Sequence, residues 1–180
     1  FRYFSFNKDW NRPTNHRMGS MSNGSGDEYF VLFTPSVAAI KGYAHECELA
    51  NPESPPKGMF DGFPSNIEGF LTEPAFDLKN TSFCLWCQME NGWSRGPVEL
   101  PEGPDPDGSE SLLEYVTWTP ADYLLFASEY FEMEVPLEPV QQVFQHVPIS
   151  DELVQALNSE VTLDELSNDL LEIGYPITQL

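Results

Sequence analysis

Two hydrophobic rhythms divide the chain. Up to about residue 100 the apolar positions alternate or gather in short runs of β-formers, and beyond about residue 109 they recur at helical spacing. In the first part, Phe1 to Phe6 predicts a short strand. Glu28 to Phe33 is a dense β-former run closed by Thr34-Pro35, and Val37 to Tyr43 predicts its hairpin partner, with Pro35-Ser36 in the turn. Thr81 to Cys87 predicts another strand. Asn91-Gly92 is a strong two-residue turn signal, so Trp93 to Leu100 would return along it. Residues 11–27 are rich in Asn, Ser, Gly and Arg and predict a mobile loop, and the prolines and glycines of 51–64 predict an irregular connection. A short helix over 65–71 would be capped by Ser65, with Glu68 three residues on.

The second part carries helix start signals. Ser111 with Glu114 forms a capping-box pattern. Thr119-Pro120 with Asp122 predicts a helix running to about Met133 that buries Tyr123, Leu124, Ala127, Tyr130 and Phe131, and Pro136 ends it. Further helices are expected over 137–144, from Ser150 to Leu157, and from Thr162, boxed by Glu165, to Gly174. Strands first and helices afterwards imply an α+β fold, an antiparallel sheet from the N-terminal half with helices from the C-terminal half packed on one side. A length of 180 residues suits a single domain over 1–180, strand-rich to 100 and helical from 109 to 176.

Charge sharpens this division. All eight Lys and Arg residues lie at or before Arg95, against 11 carboxylates, and the 85 residues that follow hold 18 carboxylates and no Lys or Arg. The two parts carry −3 and −18, which account for the net −21. A field of that sign repels nucleic acid and anionic membranes and attracts basic proteins and cations, unless the acidic half mimics DNA for a DNA-binding protein. Halophilic adaptation would give the same excess. With 13 Phe, 7 Tyr and 4 Trp, the chain has the aromatics that a disordered acidic chain lacks, so the charge is expected on a folded surface. No apolar run of about 18 residues is present to span a bilayer. Three cysteines with no repeated spacing do not form a disulfide framework, and a reduced cytoplasmic setting is expected. The N-terminus lacks the layout of a signal peptide, although a leader before Phe1 stays open.

Candidate chemistry concentrates in a few places. The densest group of functional side chains is Lys41-Gly42-Tyr43-Ala44-His45-Glu46-Cys47, where His45 as acid or base with Glu46 or Asp107 nearby would suit a small hydrolase. The competing reading is a strand end entering a loop, with His45 bonded to backbone. His45, Cys47, Cys84 and Cys87 offer four zinc-ligand types, but Cys84 and Cys87 would face opposite sides of one strand. Asp105, Asp107 and Glu114 fall at positions three, five and twelve of a calcium-loop pattern whose first position is Gly103, so a divalent-cation site stands against a plain acidic turn. Trp118 and Tyr130, set among Glu129, Glu132 and Glu134, would suit a protein interface. No phosphate loop, G-x-S-x-G or H-E-x-x-H motif occurs.

Lys41-Gly42-Tyr43-x-His45-Glu46, Phe83-Cys84-Leu85-Trp86, Gly96-Pro97-x-Glu99, Asp105-Pro106-Asp107-Gly108-Ser109 and Glu172-Ile173-Gly174-Tyr175-Pro176 together resemble an uncharacterised family of small bacterial proteins, over about residues 29–176. The resemblance implies a bacterial cytosolic setting and carries no activity or site residue with it. The leading expectation is an acidic, non-enzymatic domain that binds a basic protein, an inhibitor or toxin-neutralising role being one form, with no resident cofactor. A His45 hydrolase and a calcium- or zinc-binding protein are the alternatives.

Overall fold

The computed structural model describes residues 3–88, 91–132 and 134–178. The chain divides into two compact units, Phe1–Glu114 and Tyr115–Leu180. Among the described residues, six strands lie in the first and the longer helices in the second, so the fold is α+β.

The first unit is built on an antiparallel meander, β1 (Phe4–Asn11), β2 (His16–Ser22), β3 (Glu28–Phe33), β4 (Val37–Tyr43), β5 (Phe83–Gln88) and β6 (Gly92–Arg95), each paired with the next. The β3–β4 hairpin has the predicted bounds, and Thr34 closes its turn. The Thr34 N–H and hydroxyl both donate to the Val37 carbonyl at 2.9 Å, and the hydroxyl accepts the Val37 N–H at 2.9 Å. The register Leu32↔Ala39↔Trp86 and Met18↔Leu32 puts one side of the pleat into an apolar core with Ile67, Phe70, Leu71 and Phe76. Tyr29, Val31, Ile40 and Phe83, on the opposite side of the pleat, are buried as well. Gly42 is required where it stands, because a Cβ there would enter the Phe83 ring.

Several predicted elements need correction. The expected loop over 11–27 contains β2, which inserts between β1 and β3. Only Met18 and Met21 are buried along it, so its polar sequence hid a strand that pairing with two neighbours creates. The expected helix over 65–71 is a 3-10 segment, Ser65–Phe70, led by Pro64 with no side-chain cap and broken at Ile67. Strand β6 ends at Arg95, since Gly96-Pro97 removes a ladder donor. Helix α1 (Ser109–Leu113) starts two residues before the expected Ser111 cap, behind Gly108, and a 3-10 turn at Glu114–Thr117 follows it. Of the first expected strand, Phe1 and Arg2 lie outside the described residues.

The second unit holds α2 (Pro120–Tyr130), α3 (Leu137–Phe144), α4 (Asp151–Leu157) and α5 (Leu163–Ile173). Thr119 and Asp122 form the predicted reciprocal cap of α2, and Thr162 and Glu165 that of α5. Ser150 caps α4 through the Leu153 N–H, and α5 stops at Gly174 in the left-handed region. Ile149, Leu153, Val154 and Leu170 form the core, joined by Val143, Leu166 and Tyr175. Helix α2 ends at Tyr130, short of the expected Met133, which lies outside the described residues. Glu132 turns left-handed, and Pro136 disfavours helix at the residue before it. Tyr130 and Phe131 are consequently exposed and not buried, whereas Ala127 is buried as expected. Among the described residues no helix is long and apolar enough to cross a membrane.

Candidate functional site

The hairpin register decides what His45 meets. Glu28 pairs with Tyr43, so Asp27 comes level with the residues just beyond β4. One Asp27 carboxylate oxygen accepts the His45 backbone N–H at 2.9 Å and lies 2.7 Å from His45 Nδ1. The imidazole rests on Gly26, whose missing Cβ leaves room for the ring. His45 Nε2 lies 3.7 Å from the exposed Glu46 carboxylate. The hydrogen bond to Asp27 raises the His45 pKa, with Asp27 and Glu46 charges in support. Burial raises Asp27, but the bonds from His45 and Asn23 outweigh it and hold the carboxyl below its ordinary value. The sequence offers His45 with Glu46 or Asp107 nearby, or His45 bonded to backbone. Asp27 is the closer partner, and the register of the hairpin was the signal that could have found it.

Lys41, in the same stretch of sequence, is fully buried. Val37, Ala39 and Lys41 share one side of the pleat, so the alternation that buries the first two buries the third. Its ammonium donates to the backbone carbonyls of Phe76 and, at 3.0 Å, Asp77, and sits 5.6 Å from the Phe30 ring centroid. Burial lowers its pKa to about 8 against the opposing pull of Glu28 and Asp77. Beside it, burial pushes the Cys84 thiol up to about 12. Such a thiol is inert as nucleophile or ligand. Cys87 lies across the pleat from it, as expected.

The loop of Asp105 and Asp107 is pinned to the His45 loop by backbone bonds. Leu49 N–H donates to Pro106 O at 3.1 Å, and Ala44 N–H donates to Ser82 Oγ, which donates to Asp107 O at 2.8 Å. The structure therefore brings the two candidate segments together, but it turns the aspartates toward the start of α1. Asp105 accepts the backbone N–H groups of Glu110 and Ser111 at 3.0 and 2.9 Å. Burial raises the Asp105 pKa, and these bonds with that of the Ser111 side chain bring it below the usual carboxylate value. Asp107 accepts the Ser109 N–H and hydroxyl, and its second oxygen is 3.6 Å from Arg95. Glu114 is exposed at the end of α1. Among the described residues no three His, Cys, Asp or Glu side chains converge to hold a metal ion.

In the second unit the interface candidates form a connected surface. Trp118 is half-buried between Tyr115, at 4.6 Å between ring centroids, and Phe126, at 5.1 Å. Phe126 stacks on Tyr130 at 5.2 Å, and Tyr130 meets Phe131 edge-on at 4.9 Å. Tyr130 is 46% exposed, Phe131 50% and Leu125 64%. Glu129, Glu132 and Glu134, close by in sequence, are exposed. Residues 115–180 hold 12 carboxylates and no Lys or Arg, and none of α2 to α5 has a basic residue in its last turn. A negative helix terminus beside carboxylates is electrostatically unfavourable by itself and favourable beside a cation.

Compared with protein-family models, with curated proteins and with solved structures, the chain has no significant match.

Proposed function

We propose that residues 115–180 are an acidic docking unit that binds a basic protein, without catalysis, as an inhibitor or neutraliser would. The observation that carries this reading is the coincidence, on one helical unit, of 12 carboxylates and no Lys or Arg with the exposed rings of Tyr130 and Phe131. The carboxylates draw a cationic partner in at long range and raise its rate of encounter. The rings, already held by Phe126, give that partner an apolar anchor with little ordering cost. Trp118 packs on Phe126, which holds the anchor, and Glu129, Glu132 and Glu134 would supply the charged rim. Native mass spectrometry of the protein, isolated gently at low salt from its host, tests this. The expected mass is the chain plus a basic protein, and neutralising Glu129, Glu132 and Glu134 to Gln weakens that complex. A bare chain, or one carrying only a stoichiometric small molecule or metal, contradicts it.

A second reading rests on the Asp27–His45 pair. A carboxylate on Nδ1 fixes an imidazole for acid-base work at Nε2. It predicts ester or amide hydrolysis that His45→Gln abolishes, and a panel of activated esters with no turnover would remove it.

A further inference from the structure

The apolar surface at the end of α2 has a shape and a charge that select among cations. We infer that it takes an arginine side chain from an amphipathic basic segment, with Tyr130 as the stacking surface, in preference to lysine. The inference deepens the docking reading above and rests on it.

Four observations lead there. The Tyr130 ring is preset, parallel to Phe126 within 16° and perpendicular to Phe131 within 2°, while nearly half the residue remains exposed. A planar guanidinium stacks on such a ring and still directs its N–H groups sideways, whereas an ammonium is a compact point charge that keeps its water. Acceptors for them stand close by in sequence. Glu129 precedes the ring on α2, Glu132 follows it in the left-handed region, and Glu134 lies two residues on, so carboxylates flank the rings in sequence on both sides. Arg pairs with a carboxylate through two parallel bonds, which Lys cannot make. The negative end of the α2 dipole lies at the same point, with no cation in its last turn. Phe131, half exposed and edge-on to Tyr130, adds apolar surface that suits the nonpolar face of an amphipathic segment better than a single cation.

The probe is an amphipathic helical peptide whose cationic positions are all Arg, compared with its all-Lys twin. Each is titrated calorimetrically into the full chain at low salt. The expected result is roughly tenfold tighter binding of the Arg peptide, a preference that Tyr130→Ala removes and Tyr130→Phe keeps, with the Lys peptide little affected by either. Because Tyr130 is exposed, neither substitution opens a core, and Glu132→Gln with Glu134→Gln should weaken both peptides without touching the ring. Equal affinities that ignore Tyr130→Ala overturn the arginine assignment and leave acidic docking in place. Failure of both peptides to bind overturns the docking reading itself. Binding accompanied by sedimentation as a dimer in the absence of peptide assigns the patch to a second copy of the chain and also overturns the assignment.

Discussion

Replacing Lys41 with Met isolates one buried charge. In the wild type the ammonium has lost its water and has gained two backbone carbonyls, those of Phe76 and Asp77. The group titrates at about 8 when folded, against 10.5 for the ordinary amine. The unfolded chain therefore binds more protons than the folded chain between those two values, and stability rises with pH across that window. At or below neutral pH both states are protonated, and the full penalty of burying the ammonium applies, about 3 kcal/mol. Above pH 8 the folded amine becomes neutral and still has two N–H donors for its two carbonyls, so the penalty fades and the hydrogen bonds remain. The Met variant has no such titration. The measurable quantity is the stability of wild type minus that of Lys41→Met, by urea denaturation at pH 7 and at pH 10. Taking the difference cancels the alkaline titration of Tyr and the other Lys residues. The difference should move toward the wild type by about 2–3 kcal/mol over that range. Of the nearby groups, Cys84 stays protonated throughout because burial pushes it up to about 12. A difference that is flat with pH, or that moves toward the variant, would show that the amine keeps its water and that the burial argument is wrong.

Other outcomes follow from single contacts. The His45 ring should titrate above 6.5 by NMR and return toward that value in Asp27→Asn; an unchanged titration would deny the Asp27 bond its role. The sign is that of a raised base. The clasp stabilises fully below 6.5 and weakens as pH rises through the folded value. Thr119→Ala removes one half of the α2 cap and should cost about 1 kcal/mol in thermal or urea unfolding, with no change if the helix end is frayed in solution. Gly42→Ala forces a methyl group into the Phe83 ring and should destabilise by about 1–3 kcal/mol; a neutral effect would mean that β4 and β5 sit further apart than described.

What could be read from the sequence was what is encoded locally. The β3–β4 hairpin, the reciprocal caps at Thr119 and Thr162, the Ser150 cap and the Gly174 stop depend on residues within a few positions of each other, and each stands where expected. What depended on distant partners was missed. Strand β2 is polar and exists because β1 and β3 pair with it from either side. Ser111 matched a cap pattern, but Asp105, six residues earlier, already holds its N–H. The burial of Tyr130 and Phe131 assumed a longer helix, and their exposure is what makes them useful to a partner. Asp27 escaped notice because its pairing with His45 crosses 18 residues of sequence, although the register of one hairpin implies it.

The claim that most needs testing is that residues 115–180 work by charge. Stopped-flow association of the full chain with the all-Arg amphipathic peptide would be followed from low salt, where the Debye length is about 30 Å, to 1 M salt, where it is about 3 Å. The account predicts an association rate that falls steeply across that range while the dissociation rate changes little, because steering precedes the aromatic contact. An association rate independent of salt, or no association at low salt, would contradict it.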